Sequence, residues 1–549
     1  MRTMPASRMR MDAGRLVVDA DETGRIVAVA ARSRPAVPVL TLVDLGLCRV
    51  DGTDRAWSSR DVTVDTDEIG VQAGVAGTDG MEASVRHSFS TGWTTRLLLV
   101  NHGSTTQLID RLQLAVRAAP GQRASGLVAG SRLCWALQAT DGQGPLLAVR
   151  LAAGAVTGAT VDGLELGPLR LGPGQRYVTQ LRWELYATPR SVVAGPGRDV
   201  LVSRTVYQVG ESVLLPDDPD AALVVPRSVA VEAVEEPEVA GREVSVAGPG
   251  RHRVELRSAE GDVRLDLGWV RPLTDQLGVW AAGVLAGPRT GAGVVAIDDL
   301  ADAIVVQAAL GAGVVEDADQ AGDALDRLTA RLVDRAEPDS GGSADPFEVL
   351  YLLGEHGRSG DPDVLDLALT RESQLLAQHG SPPPGAGLAL LRTVVVGADA
   401  PERVAPLVSR AVERATADLV VGVADEQADE DVAAIDPAAR LELLLAVRPL
   451  LPDHHPAQRS LITLVRRLGA ALGAGLPGRL LAPPPVAVHA HLVAVLRMLP
   501  EDGIPGVTRT WGSSSTMLAH RLTLEVLDRL TEDEVGPAAA WLSLVPRPA

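Results

Sequence analysis

The sequence contains no lysine, and all 51 of its basic residues are arginine. The chain therefore cannot supply the lysine of a Walker A loop, the nucleotide-binding lysine of a protein kinase or the lysine of a Schiff base. NTPases, kinases and pyridoxal enzymes that depend on this residue are excluded. A bias toward GC-rich codons accounts for the composition, since asparagine is also rare and occurs only at Asn101.

The chain also lacks an excess of positive charge, because 70 acidic residues give it a net charge of −19. Nucleic acids and anionic membranes bind basic surfaces, so neither partner is expected. The longest apolar stretches are interrupted by glycine, arginine or aspartate, and no apolar segment follows residues 1–11, so neither a membrane span nor a secretory signal is predicted. We expect a soluble cytoplasmic protein, whose oligomeric state the sequence leaves open.

Metal-ligand patterns are missing as well. The two cysteines, Cys48 and Cys134, lie in apolar, strand-like contexts, so we expect buried free thiols, and a disulfide between them stays open. His489 and His491 lie two positions apart inside a predicted helix and point to different faces, whereas a helical metal pair needs a spacing of three or four. Neither a metal nor a cofactor is predicted.

Residues 1–216 alternate between apolar and polar positions and predict an antiparallel β super-sandwich. In the clearest β segment, 85–101, every second residue from Trp93 to Leu99 falls on one face. The other face becomes apolar toward the end, which predicts a strand inside a stack of sheets, and Gly92 predicts a bulge or kink. Further strands are predicted at 15–19, 25–29, 62–75, 146–152, 160–171 and 177–186.

Residues 217–275 continue the β pattern as a small sandwich or as closing strands of the first domain, with a hairpin around 258–262. Over 276–549 the apolar residues recur at spacings of three and four, which predicts amphipathic helices. These helices are predicted at 297–310, 321–336, 347–356, 363–378, 386–396, 404–421, 437–450, 457–472, 486–499, 515–530 and 535–544. Their hairpin order, without a fixed-period repeat, favours an α/α toroid-like domain over an open array.

Two polar loops of the helical part carry the candidate catalytic residues. The loop at 500–516 combines Glu501, Arg509 and Trp511 with adjacent carboxylate and hydroxyl groups, a combination that is typical of sugar chemistry. The alternative is an ordinary turn followed by a serine N-cap.

In the second loop, at 354–363, Glu355 or Asp361 is a candidate general acid held near Arg358. The alternative is a helix-capping loop in which Asp361 is the N-cap of the next helix.

The order of parts is similar to that of carbohydrate-active enzymes with an N-terminal galactose-mutarotase-like super-sandwich and a C-terminal (α/α)6 toroid. Residues 86–104 resemble the strand rhythm of those sandwiches, and residues 500–515 resemble a late glycosidase segment in which a glutamate acts as base. The resemblance implies that Glu501 is the base and that Trp511 is the wall of a sugar subsite. It further implies a glycoside hydrolase or phosphorylase that acts on an α-glucan or related saccharide through paired carboxylates.

Two alternatives remain, because the helical part is poor in aromatic rings and offers no partner acid with a motif of its own. One is a non-catalytic saccharide-binding or scaffold protein on the same fold. The other is a helical-repeat adaptor that binds protein partners along a concave face.

Overall fold

The computed structural model describes residues 8–129, 132–193, 204–216, 222–236, 239–258, 261–287, 295–335, 344–378, 382–424, 437–452, 454–455, 457–476, 479–500, 511, 514–530 and 536–544. The chain divides into two compact units. The first, here the β unit, comprises Met1–Trp269, Gly469–Pro483 and Thr510–Gly512. The second, here the helical unit, comprises Val270–Leu468, Pro484–Arg509 and Ser513–Ala549.

The predicted order of strands followed by helices is confirmed. The strands of the described chain are β1 Met9–Ala13, β2 Leu16–Ala20, β3 Ile26–Ala31, β4 Pro38–Val50, β5 Thr53–Arg55, β6 Trp57–Val64, β7 Glu68–Val75, β8 Met81–Ser88, β9 Trp93–Asn101, β10 Gln107–Ala118, β11 Gln122–Ala129, β12 Arg132–Ala139, β13 Leu146–Ala153, β14 Gly158–Thr160, β15 Gly163–Leu166, β16 Leu169–Leu171, β17 Arg176–Tyr186, β18 Val206–Gln208, β19 Val213–Pro216, β20 Ala222–Val224, β21 Val229–Glu236, β22 Val239–Val246, β23 Gly250–Ser258, β24 Gly261–Val270 and β25 Arg479–Leu480.

Two large antiparallel sheets share one hydrophobic core. One has the order β1-β2-β3-β4-β10-β15-β14, with β5 added to β4 and β16 added to β10. The other has the order β25-β11-β12-β13-β17-β9-β8-β7-β6. Two smaller sheets, β18-β24-β23-β20 and β19-β22-β21, enclose a separate core around Trp269.

Strand β9 lies between β17 and β8, inside its sheet as the alternation predicts. Its residues Trp93, Thr95, Leu97 and Leu99 are buried on one face. Of the predicted bulge or kink at Gly92, the structure shows a bend of the backbone rather than a bulge within a strand. The residue lies in the connection that reverses the chain between β8 and β9, which pair along their whole length.

The segment 62–75 also differs from its prediction, because it forms parts of two strands rather than one. The chain turns between β6 and β7 at Asp65, whose backbone N–H donates to the carbonyl of Glu68 at 2.8 Å. The carboxylate of Asp65 accepts from the backbone N–H and the hydroxyl of Thr66, and these bonds hold its pKa below the usual value. This local hydrogen bonding competes with strand extension and produces the turn.

The buried Cys48 is free, and burial raises the pKa of its thiol to about 11. The side chain of Cys134 lies outside the described residues. None of the helices in the described part of the chain combines the length and hydrophobicity that a membrane span requires.

The α-helices of the described chain are α1 Pro189–Val193, α2 Leu273–Leu285, α3 Leu300–Gly311, α4 Ala318–Asp334, α5 Pro346–Ser359, α6 Pro362–Ala377, α7 Ala386–Val396, α8 Pro401–Ala424, α9 Pro437–Val447, α10 Ala457–Ala471, α11 Val486–Arg497, α12 Ser515–Leu527 and α13 Pro537–Ser543. Six of them pack in a closed cycle, α3-α5-α7-α9-α11-α13 and back to α3. These six are called the ring helices below. Helix α2 packs against α3 and α12 against α11, whereas α6 packs against both α5 and α7, and α8 packs against both α7 and α9.

Candidate functional site

Glu355 lies near the C-terminal end of α5 and is 1% exposed. One carboxylate oxygen accepts a hydrogen bond from Nε of Arg358 at 2.8 Å, and the other accepts from Nε2 of Gln307 at 3.1 Å. Arg358 also pairs with Asp326. The hydrogen bond that Arg358 donates to Glu355 raises the pKa of Arg358 above its usual value. Both oxygens of Glu355 are thus occupied by side-chain donors.

Asp361 occupies the N-cap position of α6, the alternative that the sequence left open. Its Oδ1 accepts from the backbone N–H of Asp363 at 2.9 Å, and its carbonyl contacts Nδ1 of His356 at 2.7 Å. Glu355 and Arg358 lie in the last turns of α5, and Asp361 follows the C-cap of that helix, Gly360. Arg358 is bonded to Glu355 rather than to Asp361.

Glu501 and Arg509 lie outside the described residues. Trp511 is described and is 4% exposed. Its indole packs so closely against Gly469 that a Cβ there would approach Nε1 to 2.3 Å. In this structure the ring is a packed side chain of the β unit, and its predicted role as a sugar subsite wall stays a prediction.

A second polar constellation, which the sequence analysis did not identify, lies among the ring helices. Glu442 of α9 is fully buried, and its Oε2 lies 2.9 Å from Nε2 of His491 on α11. The same carboxylate accepts from two backbone N–H groups at the start of α7, from Gly385 at 2.8 Å and from Leu388 at 2.9 Å. Glu442 therefore caps α7 from a neighbouring helix, where the helix dipole favours negative charge.

Aromatic rings complete this constellation. The ring of His491 lies 4.6 Å from that of Trp541, which in turn lies 4.8 Å from Phe347. Gly385 has a φ of 96°, and a Cβ there would lie 2.9 Å from Trp541. The approach of α7 to this cluster thus requires glycine at position 385.

The imidazole of His491 is oriented by the carboxylate of Glu442, which is itself fixed by two backbone N–H donors. Such a base-and-orienter pair is what acid–base catalysis uses, and it is equally what a stable buried ion pair requires. His489, two residues away, faces other groups: its Nδ1 lies 3.0 Å from Nη1 of Arg529, and burial lowers its pKa to about 4. The two histidines are therefore separated, in agreement with the predicted divergence of their faces.

Glu372 of α6 is a third fully buried carboxylate of the helical unit. The hydroxyl of Thr393 on α7 donates to its Oε2, whereas its Oε1 has no hydrogen-bond partner in the described chain. Burial raises the pKa of Glu372 to about 7. The group is protonated more readily in the folded protein than in an open chain.

An open depression of about 380 Å³ lies in the same unit, lined by residues of α3, α5, α7 and the end of α13. Its polar lining comes from Gln307, Arg392 and Ser543. Gln307 connects this depression with Glu355, because its Nε2 bonds the buried carboxylate.

A faint signal for the Glu442–His491 pair was present in the sequence. Glu442 interrupts an otherwise apolar helix (residues 441–447), and a carboxylate in such a position is buried only where it has partners. Its partner is 49 residues away, and no local pattern could identify it. In the described residues, no group of three or more histidine, cysteine, aspartate or glutamate side chains is placed to hold a metal ion.

No protein-family model and no curated protein matches the sequence. Among solved structures, the chain is similar to a polysaccharide lyase, with a TM-score of 0.69 and 12% sequence identity. The match covers 95% of this chain and 94% of the lyase. At this identity the likeness establishes the fold, and it does so over nearly the whole length of both chains.

Proposed function

We propose that this chain is a carbohydrate-active protein that acts on a polysaccharide through its helical unit. The observation that carries the proposal is the likeness to a polysaccharide lyase along nearly the entire chain. The closed cycle of ring helices supports the toroid-like form that the sequence predicts, rather than an open adaptor array.

The predicted hydrolase or phosphorylase would use Glu501 as base and Glu355 or Asp361 as acid, with Trp511, Arg509 and Arg358 binding the saccharide. Such chemistry requires two carboxyl groups that face the glycosidic bond from opposite sides. In the described chain both oxygens of Glu355 are bonded, and Asp361 caps a helix. These contacts favour an acid–base group elsewhere.

His491 is that group in the proposal, with Glu442 fixing its orientation. In an elimination, a base removes the proton beside the carboxylate of a uronate, the C–O bond to the next sugar breaks, a C=C bond forms and the departing oxygen takes up a proton. An imidazole is suited to the first step, because its ordinary pKa lies near neutrality. Elimination does not consume water, so its products differ from those of hydrolysis and the two reactions can be distinguished by their products.

The test incubates the protein with neutral α-glucans and with uronate polysaccharides. Elimination is measured by the ultraviolet absorbance of the unsaturated uronate, hydrolysis by reducing ends without that absorbance, and phosphorolysis by sugar 1-phosphate formed with added phosphate. We expect His491→Asn to lower product formation roughly 10²- to 10⁴-fold. The matched control is His489→Asn, which changes a buried histidine of the same helix without touching Glu442.

Equal losses in the two histidine variants would indicate damage to the fold and would contradict the role of His491. Loss of activity in Glu501→Gln, with His491→Asn active, would instead support the hydrolase assignment. Both histidine variants are compared with the wild type by circular dichroism, so that unfolding is distinguished from a loss of activity in the folded protein.

The second candidate is a non-catalytic saccharide-binding protein, and the burial of two predicted or proposed site residues favours it. His491 is 2% exposed and Trp511 is 4% exposed. On this alternative the protein binds a polysaccharide in affinity electrophoresis but forms none of the three products. Absence of both binding and product across the panel would overturn both candidates.

A further inference from the structure

We propose that the depression at the C-terminal ends of α3 and α13 is a second binding site, which takes a small sugar that carries one anionic group. The site is separate from the Glu442–His491 pair and is lined by Gln307, Arg392 and Ser543. Its volume of about 380 Å³ falls in the range that small-molecule sites occupy.

Arg392 supplies the charge. Its Nη2 donates to the carbonyl of Leu544, the C-cap of α13, at 3.2 Å, which fixes the guanidinium at the edge of the depression. In the described part of the chain no carboxylate forms an ion pair with it, and burial alone lowers its pKa. A bound anion stabilises a desolvated guanidinium that has no counter-charge, and the planar N–H donors of the guanidinium match the oxygens of a carboxylate or phosphate.

Gln307 and Ser543 supply acceptors. Nε2 of Gln307 donates to the carbonyl of Tyr351 and to Glu355, which fixes the orientation of the amide and leaves its Oε1 available. The hydroxyl of Ser543 donates to the carbonyl of Ala539 at 2.7 Å, which leaves its oxygen lone pairs available. Two hydrogen-bond acceptors and one cation in the protein are complementary to a ligand that carries hydroxyl groups and one anionic group. Uronic acids and sugar phosphates are ligands of this kind.

The sugar part of this assignment rests on the proposed function, whereas the anion part rests on Arg392 alone. Isothermal titration of the full-length protein therefore uses glucuronate, glucose 6-phosphate, glucose and inorganic phosphate as separate probes. We expect at least one of the two anionic sugars to bind more tightly than glucose and than inorganic phosphate, and to weaken as salt is added. Arg392→Gln is expected to weaken that binding roughly 10- to 100-fold.

Because Arg392 also bonds to Leu544, its replacement could disturb α13, and a second pair of variants keeps the test independent of folding. Ser543→Asp and Ser543→Asn differ by one charge at the wall of the depression. The aspartate variant is expected to bind the anionic sugar at least about fivefold more weakly than the asparagine variant. Equal binding by the two variants, equal binding of glucose, or no binding of any anionic sugar would overturn the proposal.

The outcomes also separate this proposal from the proposed function. If the protein binds inorganic phosphate but no sugar, and Arg392→Gln abolishes that binding, the depression is an anion site and the proposal of a sugar ligand is wrong. Polysaccharide products that persist in Ser543→Asp would show that the proposed function stands whether or not the depression binds a ligand.

Discussion

The two units bury polar side chains in different ways. In the β unit the most buried polar side chains are neutral, and Thr95 is an example: it contacts both Nδ1 of His87 and Nε1 of Trp183, each at 2.9 Å. In the helical unit the buried groups include carboxylates. Among the described residues, the fully buried carboxylates are Glu355, Glu372 and Glu442, and all three lie in the helical unit.

The difference indicates where each unit depends on charge. Taking a carboxylate out of water costs several kcal/mol unless donors replace the water. The helical unit contains three such carboxylates, and each of them has a hydrogen-bond partner on another helix. The β unit relies on aromatic packing instead. Because perturbed ionisable groups concentrate at functional sites, the helical unit is the better place to seek chemistry.

The largest effect is expected from removing volume in the β unit. Trp183 is buried, stacks on Trp93 with ring centroids 4.1 Å apart and donates to Thr95. Trp183→Ala should lower the free energy of unfolding by about 3–5 kcal/mol, because it leaves a cavity and removes a hydrogen bond. Urea denaturation followed by tryptophan fluorescence measures the loss. A loss below about 1 kcal/mol would show that this stack does not hold the β unit together.

A slightly smaller effect is expected from removing charge in the helical unit. Glu442→Ala leaves two backbone N–H groups and His491 without their acceptor, and should cost about 3–4 kcal/mol in urea denaturation followed by helical circular dichroism. The control is Asp19→Ala in the β unit, which breaks the exposed pair with Arg10 and should cost less than about 1 kcal/mol. Equal costs for the two variants would remove the contrast between the units.

Local periodicity was sufficient to predict most of the fold. The alternation from Trp93 to Leu99 identified an internal strand, and the helices predicted from spacings of three and four are present with ends shifted by a few residues. Strand β25 was not predicted, because two residues carry no period. It forms only by pairing with Ser125 and Gly126, more than 350 positions away.

The candidate site was less accessible to sequence reasoning, because its partners come from different helices. The loop at 354–363 could be identified since Glu355, Arg358 and Asp361 are neighbours in sequence. The contacts of Glu442 with α7 and α11, and the meeting of Gln307, Arg392 and Ser543 around one depression, depend on how the ring helices pack. The residue pattern of a single helix does not predict which side chains of other helices will lie next to it.

The pH dependence of stability should differ in sign between His87 of the β unit and Glu372 of the helical unit. Burial lowers the pKa of His87 to about 3, so the unfolded chain binds the proton more readily and stability is lost as pH falls from about 6.5 toward 3. The raised pKa of Glu372, about 7, has the opposite effect, because stability falls as pH rises from about 4.5 to 7.

Glu372→Gln isolates the second effect, since His87 and His489 remain in both proteins. The variant should be more stable than the wild type at pH 8, by on the order of 3 kcal/mol, and the advantage should disappear near pH 4.5. Melting temperatures across this range measure the difference. A constant difference between the two proteins at all pH values would mean that Glu372 does not titrate as its burial implies.

The smallest effect concerns Asp361, and it separates a structural from a catalytic role. Asp361 is the N-cap of α6, so its replacement by alanine should lower the free energy of unfolding by about 1 kcal/mol. Replacement by asparagine, an equally good cap, should cost almost nothing. An acid in catalysis behaves differently, because asparagine cannot donate the proton that the reaction needs. If Asp361→Asn keeps both its melting temperature and its product formation, the carboxylate only caps the helix. If it keeps the first and loses the second, the site extends to the α5–α6 turn, and the chemistry of the helical unit then includes an exposed carboxylate beside the three buried ones.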